Sequence, residues 1–313
     1  MLKQHKVQAT ARDGGGHTAR VFAAVASALA LLLVGSAEAE VAAMTPREKA
    51  QAVVVAGMPA PAGFGGVLVR RWNTALPRPR GSLVFADQEG GLVKTFAGIA
   101  PSGAASSYRS AAEAFAAGRE TAAALRLAGV HADFAPVLDL PDGPLGSRHF
   151  ARPEYGVAFT RGLGKAACAK HFPGLGSTPK STDEARVYGV LRAQDLAPFR
   201  AAIRAGVPCV MISHAIYPRL GLRRASLEPA TYRLLRSLGF RGVAITDSLG
   251  VFGSPYAPYW ARLAIQAGAD LVLTTSARDA ARMVDALVPL AQAGALDAKV
   301  VRIVKYRRSL GAP

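Results

Sequence analysis

The sequence predicts an α/β fold of the (β/α)8 TIM-barrel type, in a single domain, and three observations carry that expectation. From Glu48 onward short β-rich runs alternate with helical stretches, the pattern of parallel strands joined by helical crossovers. Asp87, His171, His214 and Asp247 fall at or just past the C-terminal ends of different runs, the face on which barrel enzymes gather their functional groups. No long Pro- or Ser-rich linker splits the chain after its first forty residues. With 50% of 313 residues hydrophobic, the chain can bury a substantial core and is too apolar to be disordered.

The expected strands are Gly66–Val69, Leu83–Ala86, Ala132–Ala135, Ala167–His171, Cys209–Ser213, Val243–Thr246 and Leu271–Thr274. Helices are expected over Tyr108–Ala128, Asp195–Ala205, Tyr259–Ala267 and Ala277–Ala291, where Ala and Leu recur at intervals of three and four. Gly129, Gly206 and Gly268 each stand where a helix should stop before a strand. The strands number seven rather than eight, so pattern alone leaves a doubly wound sheet open; the placement of the polar residues favours the barrel.

Residues 1–39 read as an address and 40–313 as the barrel. Lys3, Lys6, Arg12 and Arg20 precede an apolar run from Val21 to Val34, and Gly35-Ser36-Ala37-Glu38-Ala39 offers small residues where a signal peptidase reads. The run is short for a membrane span, so the expectation is export to the cell envelope or beyond after cleavage, with no stable membrane insertion; an uncleaved anchor is the alternative. No cysteine near that point could carry a lipid. Cys168 and Cys209 exclude a disulfide scaffold and a zinc ribbon, and are expected as separate buried thiols inside strands, although export allows a disulfide.

The formal charge of +17, from 38 Lys and Arg against 21 Asp and Glu, suits anionic surroundings. The basic residues are scattered, with no cluster larger than the pairs Arg70-Arg71, Arg223-Arg224 and Arg307-Arg308, and no nucleic-acid-binding signature accompanies them. A solvated basic surface is expected, not a nucleic-acid partner.

Four segments could carry chemistry. Asp87-Gln88-Glu89-Gly90-Gly91 sets two carboxylates and a glycine pair after a strand; the glycines could admit a ligand close to the backbone, or the segment could be a solvated turn. Lys170-His171 follows the apolar Ala166-Ala167-Cys168-Ala169, where a charge is costly without a partner, and that favours ligand binding. Gly174-x-Gly176 is no dinucleotide fingerprint, because Pro179 stands at the third glycine position. Asp247 ends the strand Val243–Thr246 and could point into a pocket or cap a turn. Ser213-His214 also ends a strand, and a backbone-bonded histidine is as good a reading as a functional one. Nothing resembles a Gly-x-Ser-x-Gly elbow or a His-Glu-x-x-His metal helix. Carboxylates over a barrel mouth suit glycoside hydrolysis and other barrel chemistries alike.

Taken together, the segments resemble family 3 glycoside hydrolases, specifically the single-domain β-N-acetylhexosaminidases. The matching pieces run in family order: Asp87 through Gly91, Asp133 through Asp139, Arg148-His149-Phe150, Lys170 through Gly176, Ser213-His214, and Ala244 through Leu249. The resemblance implies a TIM barrel with Asp247 as nucleophile, and Asp87, Arg148, Lys170 and His171 holding the sugar. It implies neither metal nor organic cofactor, and an N-acetylhexosamine glycoside as substrate.

The chain also departs from that pattern. The hexosaminidases carry an Asp-Ser/Thr-His unit past a four-residue spacer after Lys-His-Phe-Pro-Gly-x-Gly, and its His is the acid/base. Ser181-Thr182-Asp183 stands there instead. Leu92 replaces the Arg usual after Glu-Gly-Gly, and the loop bearing Arg148 is shorter and less acidic. Asp183 is the candidate proton donor and Glu184 the second choice, although Ser181-x-x-Glu184 also reads as a capping box opening a helix. The expected function is an exported retaining glycosidase acting on terminal β-linked N-acetylhexosamine, with cell-wall fragments as a candidate source. The alternative is a degenerate barrel that binds envelope glycan without cleaving it. A two-domain β-glucosidase is less expected, since the chain ends at Pro313 before a second domain.

Overall fold

A computed structural model describes residues 35–312, so the signal sequence expected at the start lies, through Val34, outside the described residues. The chain divides into two units, Met1–Ala43 and Met44–Pro313. The described part of the first contains the short helix α1 (Ala37–Ala43). Among the described residues no helix is long and apolar enough to cross a membrane.

The second unit is a barrel of eight parallel strands. They are β1 (Val54–Gly57), β2 (Gly66–Leu68), β3 (Leu83–Ala86), β6 (Ala132–Asp133), β7 (Cys168–Phe172), β8 (Cys209–Ile212), β9 (Val243–Ser248) and β10 (Leu271–Thr274). A small hairpin, β4 (Gln88–Gly90) and β5 (Val93–Lys94), follows β3 outside this ring. The hydrogen-bonded order β6-β3-β2-β1-β10-β9-β8-β7 follows chain order around the ring. It closes between β6 and β7, where Cys168 N donates to Ala135 O at 2.9 Å and Lys170 N to Pro136 O at 3.0 Å. The strands are buried at every position except the C-terminal end of β9, as continuous apolar runs between helices and barrel interior require.

The helices around the ring are α2 (Pro46–Ala52), α3 (Ala111–Leu127), α4 (Pro153–Leu163), α5 (Ala193–Arg204), α6 (Pro229–Ser237), α7 (Ala257–Ala267), α8 (Ala277–Gln292) and α9 (Asp297–Ser309). The crossovers β1–β2 and β2–β3 contain no α-helix, which departs from regular alternation. The eighth strand is β1, absent from the sequence reading. Gly129, Gly206 and Gly268 have positive φ where α3, α5 and α7 give way to strands. Between α2 and β1 the break is Val53 with φ −96°, so no glycine marks the boundary.

The cysteines depart from expectation too. Cys168 and Cys209 form a disulfide instead of lying as separate thiols. Parallel β7 and β8 pair in a register that sets these residues directly opposite each other, Cα to Cα 4.3 Å. Patterning places each cysteine in a strand; only the register brings them together.

Helices α3 and α4 support the loop that carries Arg148. Tyr108, Phe150 and Phe159 cluster there with ring centroids 5.7–6.1 Å apart. The two helices cross at glycines: a Cβ at Gly118 would run into the Phe159 carbonyl, and one at Gly162 into that of Phe115. Alanine is favoured over glycine inside a helix by about 1 kcal/mol, yet here the clash with backbone outweighs it. We expect Gly118→Ala to lower the denaturation midpoint, at a cost of about 1–3 kcal/mol, in chemical unfolding followed by circular dichroism.

Candidate active site

A cavity of about 480 Å³ lies at the C-terminal ends of the strands. Leu68, Asp87, Phe134, Lys170, His171, Met211, Asp247 and Leu273 line it from the ring strands or the residue just after one, Glu89 from the hairpin, and Arg148 and Asp183 from the connections. The six residues predicted for the site, Asp87, Arg148, Lys170, His171, Asp183 and Asp247, thus face one space.

Lys170 is the centre of its charged wall. Buried on β7, its Nζ lies 2.8 Å from Asp87 Oδ1 and 2.6 Å from Glu89 Oε1. Burial opposes its charge, but the two carboxylates outweigh that and raise its pKa. Glu89 in turn accepts two bonds from Arg148, from Nε and Nη2, both at 2.8 Å. Burial alone would raise Glu89; Lys170 and Arg148 bring it down to about 2. The wall is held from behind. Thr95 bonds the Asp87 backbone, and the Gln88 amide clamps Phe96 through bonds of 2.9 and 3.0 Å.

The Gly90-Gly91 pair is not among the residues lining the cavity and packs against protein instead. Both have positive φ, and a Cβ at Gly90 would strike the Gly103 carbonyl while one at Gly91 would lie 2.7 Å from Ala104 Cβ. The glycines let the hairpin pack on the following loop.

His171 is fixed by Asp139. Its Nδ1 lies 2.7 Å from Asp139 Oδ2, which also accepts the His171 N–H at 3.1 Å, while Oδ1 accepts the Leu175 N–H at 2.7 Å. A carboxylate receiving two backbone N–H groups is an acceptor, so Nδ1 carries the proton and Nε2 is left for the cavity.

Asp247 is half-buried at the end of β9 and accepts the Ser248 N–H at 2.7 Å. Burial would raise its pKa. At the low pH where it titrates, the charges then carried by His214 and His171, the Ser248 N–H and the Lys170 ammonium outweigh burial and hold the carboxyl below its ordinary range. His214 itself takes the structural reading. Fully buried, it is pushed down to about 4, donates from Nε2 to the Ser248 carbonyl at 3.0 Å and accepts the Ser226 hydroxyl at 2.8 Å. It thus braces the backbone that carries Asp247.

Asp183 stands at the rim on the β7–α5 connection. Its partial burial, followed by the charge of Asp247, raises its pKa. No helix opens at Ser181: residues 182–184 form a turn and α5 begins only at Ala193, so the capping reading fails. Glu184 is not among the residues lining the cavity.

With this geometry, comparison with known proteins is direct. The sequence profile of the glycosyl hydrolase family 3 N-terminal domain matches residues 69–306. The chain belongs to this family. A beta-hexosaminidase of Stenotrophomonas maltophilia is 36% identical over 231 residues, 64% of this chain and 68% of that protein. Among solved structures, the family 3 beta-N-acetylglucosaminidase of a Paenibacillus species superposes with a TM-score of 0.77 at 27% identity, covering 87% of this chain and 64% of that one. NagZ of Neisseria gonorrhoeae, solved with N-trifluoroacetyl-D-glucosamine, gives 0.65 at 26% identity, covering 80% and 89%. The chain therefore spans about two thirds of the length of the first two.

Against the family 3 pattern, Leu92 is 89% exposed and does not line the cavity, whereas Arg70 does. In the sequence Arg70 reads only as half of a basic pair, although it follows β2 closely, the same signal that singles out Asp87. Glu89, Asp133 and Asp139 were likewise left out as individual site residues. Asp133 and Asp139 bracket the apolar run Phe134–Leu138, and a pair of acids so placed is the sequence signal that could have found them.

Asp133 is fully buried behind the wall. Its Oδ1 accepts the Gln88 N–H at 2.8 Å and its Oδ2 has no partner among the described residues. Burial pushes it up to about 8. The folded protein therefore holds a proton that the unfolded chain releases above about 3.9, so stability falls as pH rises from there toward 8. In Asp133→Asn this slope should vanish, the variant gaining on the parent in thermal midpoint between pH 5 and 8. Glu89→Gln should instead cost about 3–5 kcal/mol at neutral pH by taking from Arg148 its carboxylate and from Lys170 one of its two, read from urea unfolding.

Proposed function

We propose that this protein is an exported retaining glycosidase that removes terminal β-linked N-acetylhexosamine, with cell-wall glycan fragments as its source. The observation that carries this reading is a pair of carboxyls facing one cavity and driven toward opposite protonation states, Asp247 down and Asp183 up. That is the division of labour a retaining glycosidase needs. The hexosaminidase relatives support the sugar, and the N-terminal basic and apolar segments support export. The surplus of positive charge suits anionic wall polymers.

In the first step an Asp247 carboxylate oxygen attacks the anomeric carbon and the glycosidic C–O bond breaks. Its electron pair stays on the leaving oxygen, which takes the proton of Asp183. Water then attacks the same carbon, giving a proton to the Asp183 carboxylate and releasing Asp247. Asp87, Lys170, Arg148 and His171 hold the ring hydroxyls; their own ion pairs fix them before substrate arrives, so little is lost in ordering them.

The test is hydrolysis of aryl β-N-acetylglucosaminides bearing good and poor leaving groups. Asp247→Ala should abolish both. Asp183→Ala should cost about 10²–10⁴-fold for the poor leaving group and far less for the good one. The profile of kcat/KM against pH should be a bell, with its acid limb below the ordinary carboxylate range, where Asp247 loses its charge. Its alkaline limb, above that range, should vanish in Asp183→Asn. If the parent protein binds the sugar and turns over neither substrate, the chain is a glycan-binding barrel instead.

A further inference from the structure

At the end of the barrel away from the catalytic cavity lies an open cleft of about 460 Å³, and nothing in the reaction above uses it. Asp270, directly before β10, and Arg236, in the last turn of α6, place it at the N-terminal ends of β9 and β10. Arg233 of α6 lines it too, with Lys299 and Arg302 of α9. Among the described residues, four cations thus face one carboxylate.

That carboxylate is already engaged. Asp270 is fully buried; its Oδ2 accepts Arg236 Nη2 at 2.7 Å and the Ala244 N–H at 2.8 Å, and its Oδ1 accepts Arg302 Nη1. This pairing ties the starts of β9 and β10 to two helices, and it needs only two of the four cations. Lys299 Nζ bonds a neutral group, the Ala269 carbonyl, at 2.8 Å. Neither Lys299 nor Arg233 pairs with a carboxylate among the described residues. The nearest acid on α9, Asp297, is taken by Lys49 at 2.8 Å.

Helix geometry sharpens the imbalance. A cation at a helix C-terminus is favourable, which accounts for Arg236, but Lys299 stands in the first turn of α9, where the dipole favours an anion. Burial lowers the pKa of Lys299, and Arg302 and Arg236 lower it further against the pull of Asp270. Arg236 is lowered by burial too, with Arg302 and Arg241 adding to the effect. An anion in the cleft relieves all of these at once.

We propose that this cleft binds a phosphate group, held by Arg233, Lys299 and Arg302, on the face of the barrel opposite the catalytic mouth. Guanidiniums take phosphate through two parallel bonds, and with five donors Arg302 can hold Asp270 and a ligand together. The group can arrive as free phosphate or as the headgroup of an anionic lipid. A barrel seated on a lipid surface by this face keeps its catalytic mouth turned outward.

Two measurements on the intact protein test this: calorimetric titration with inorganic phosphate at fixed ionic strength, and cosedimentation with phosphatidylglycerol vesicles against phosphatidylcholine vesicles. Binding should weaken at least about tenfold in Lys299→Gln and in Arg233→Gln and hold in Lys299→Arg. It should be unchanged in Arg119→Gln, which removes one exposed charge on α3. Arg233 is exposed and makes no ion pair in the fold among the described residues, so a loss in that variant is not a loss of folding. If free phosphate fails to bind and the phosphatidylglycerol vesicles bind with the same ranking of variants, the site stands and its ligand is a lipid headgroup. Binding absent in both measurements, unmoved by Lys299→Gln and Arg233→Gln, or weakened as much by Arg119→Gln overturns the proposal.

Discussion

Burying an ammonium group costs several kcal/mol unless anions meet it in good geometry, and Lys170, with a side chain 3% exposed, meets two. From that constraint much of the site follows. Glu89, nearly as buried, balances one unit of charge and must be met again on its other side, which Arg148 does with a two-pronged contact from a different connection. Asp87, more open, completes the pairing and keeps an edge toward the cavity. Two acids and two bases, from three separate stretches of chain, are thus locked together without a ligand.

The cost of this compensation is visible one layer down. With Asp87 and Glu89 ionised above it, Asp133 gains little from being a third anion in the dry interior, and burial keeps it protonated. It then serves as a hydrogen-bond acceptor for the Gln88 N–H rather than as a charge. The same logic sets His214 neutral beneath Asp247, where a cation would be costly and a neutral ring can bridge Ser226 and the Ser248 carbonyl. Groups that could titrate are used here as fixed dipoles, which leaves charge where substrate would meet it.

Much of this was legible in the sequence because strands carry it. Seven of eight barrel strands stand out as apolar runs, and Asp247 and Lys170 stand out as charges that such a run should not contain. What stayed hidden depended on pairing. The first strand follows its helix through Val53 without a glycine, so composition does not separate them. The disulfide needs the β7–β8 register. Glu89 looks like one acid of a polar turn until Lys170 and Arg148 are seen to converge on it. The Gly90-Gly91 pair shows the related limit that a glycine marks close approach without saying to what.

The difference between strand-borne and loop-borne groups also explains where this chain departs from its family. Asp247, Lys170 and His171 sit on strands whose backbone is committed to the barrel, so their positions are fixed by the ring itself. Asp183, the proposed proton donor, stands on the connection from β7 to α5, held by turns and by contacts of its own. A loop can exchange its chemistry without disturbing the ring. Replacing a histidine unit by Asp183 therefore needs only that some group at that rim be protonated when the glycosidic oxygen leaves. Partial burial and the charge of Asp247 push Asp183 toward that state against the pull of His171, Arg148 and Lys170, so the ionised carboxylate of the proposed nucleophile is itself part of what would keep its partner an acid.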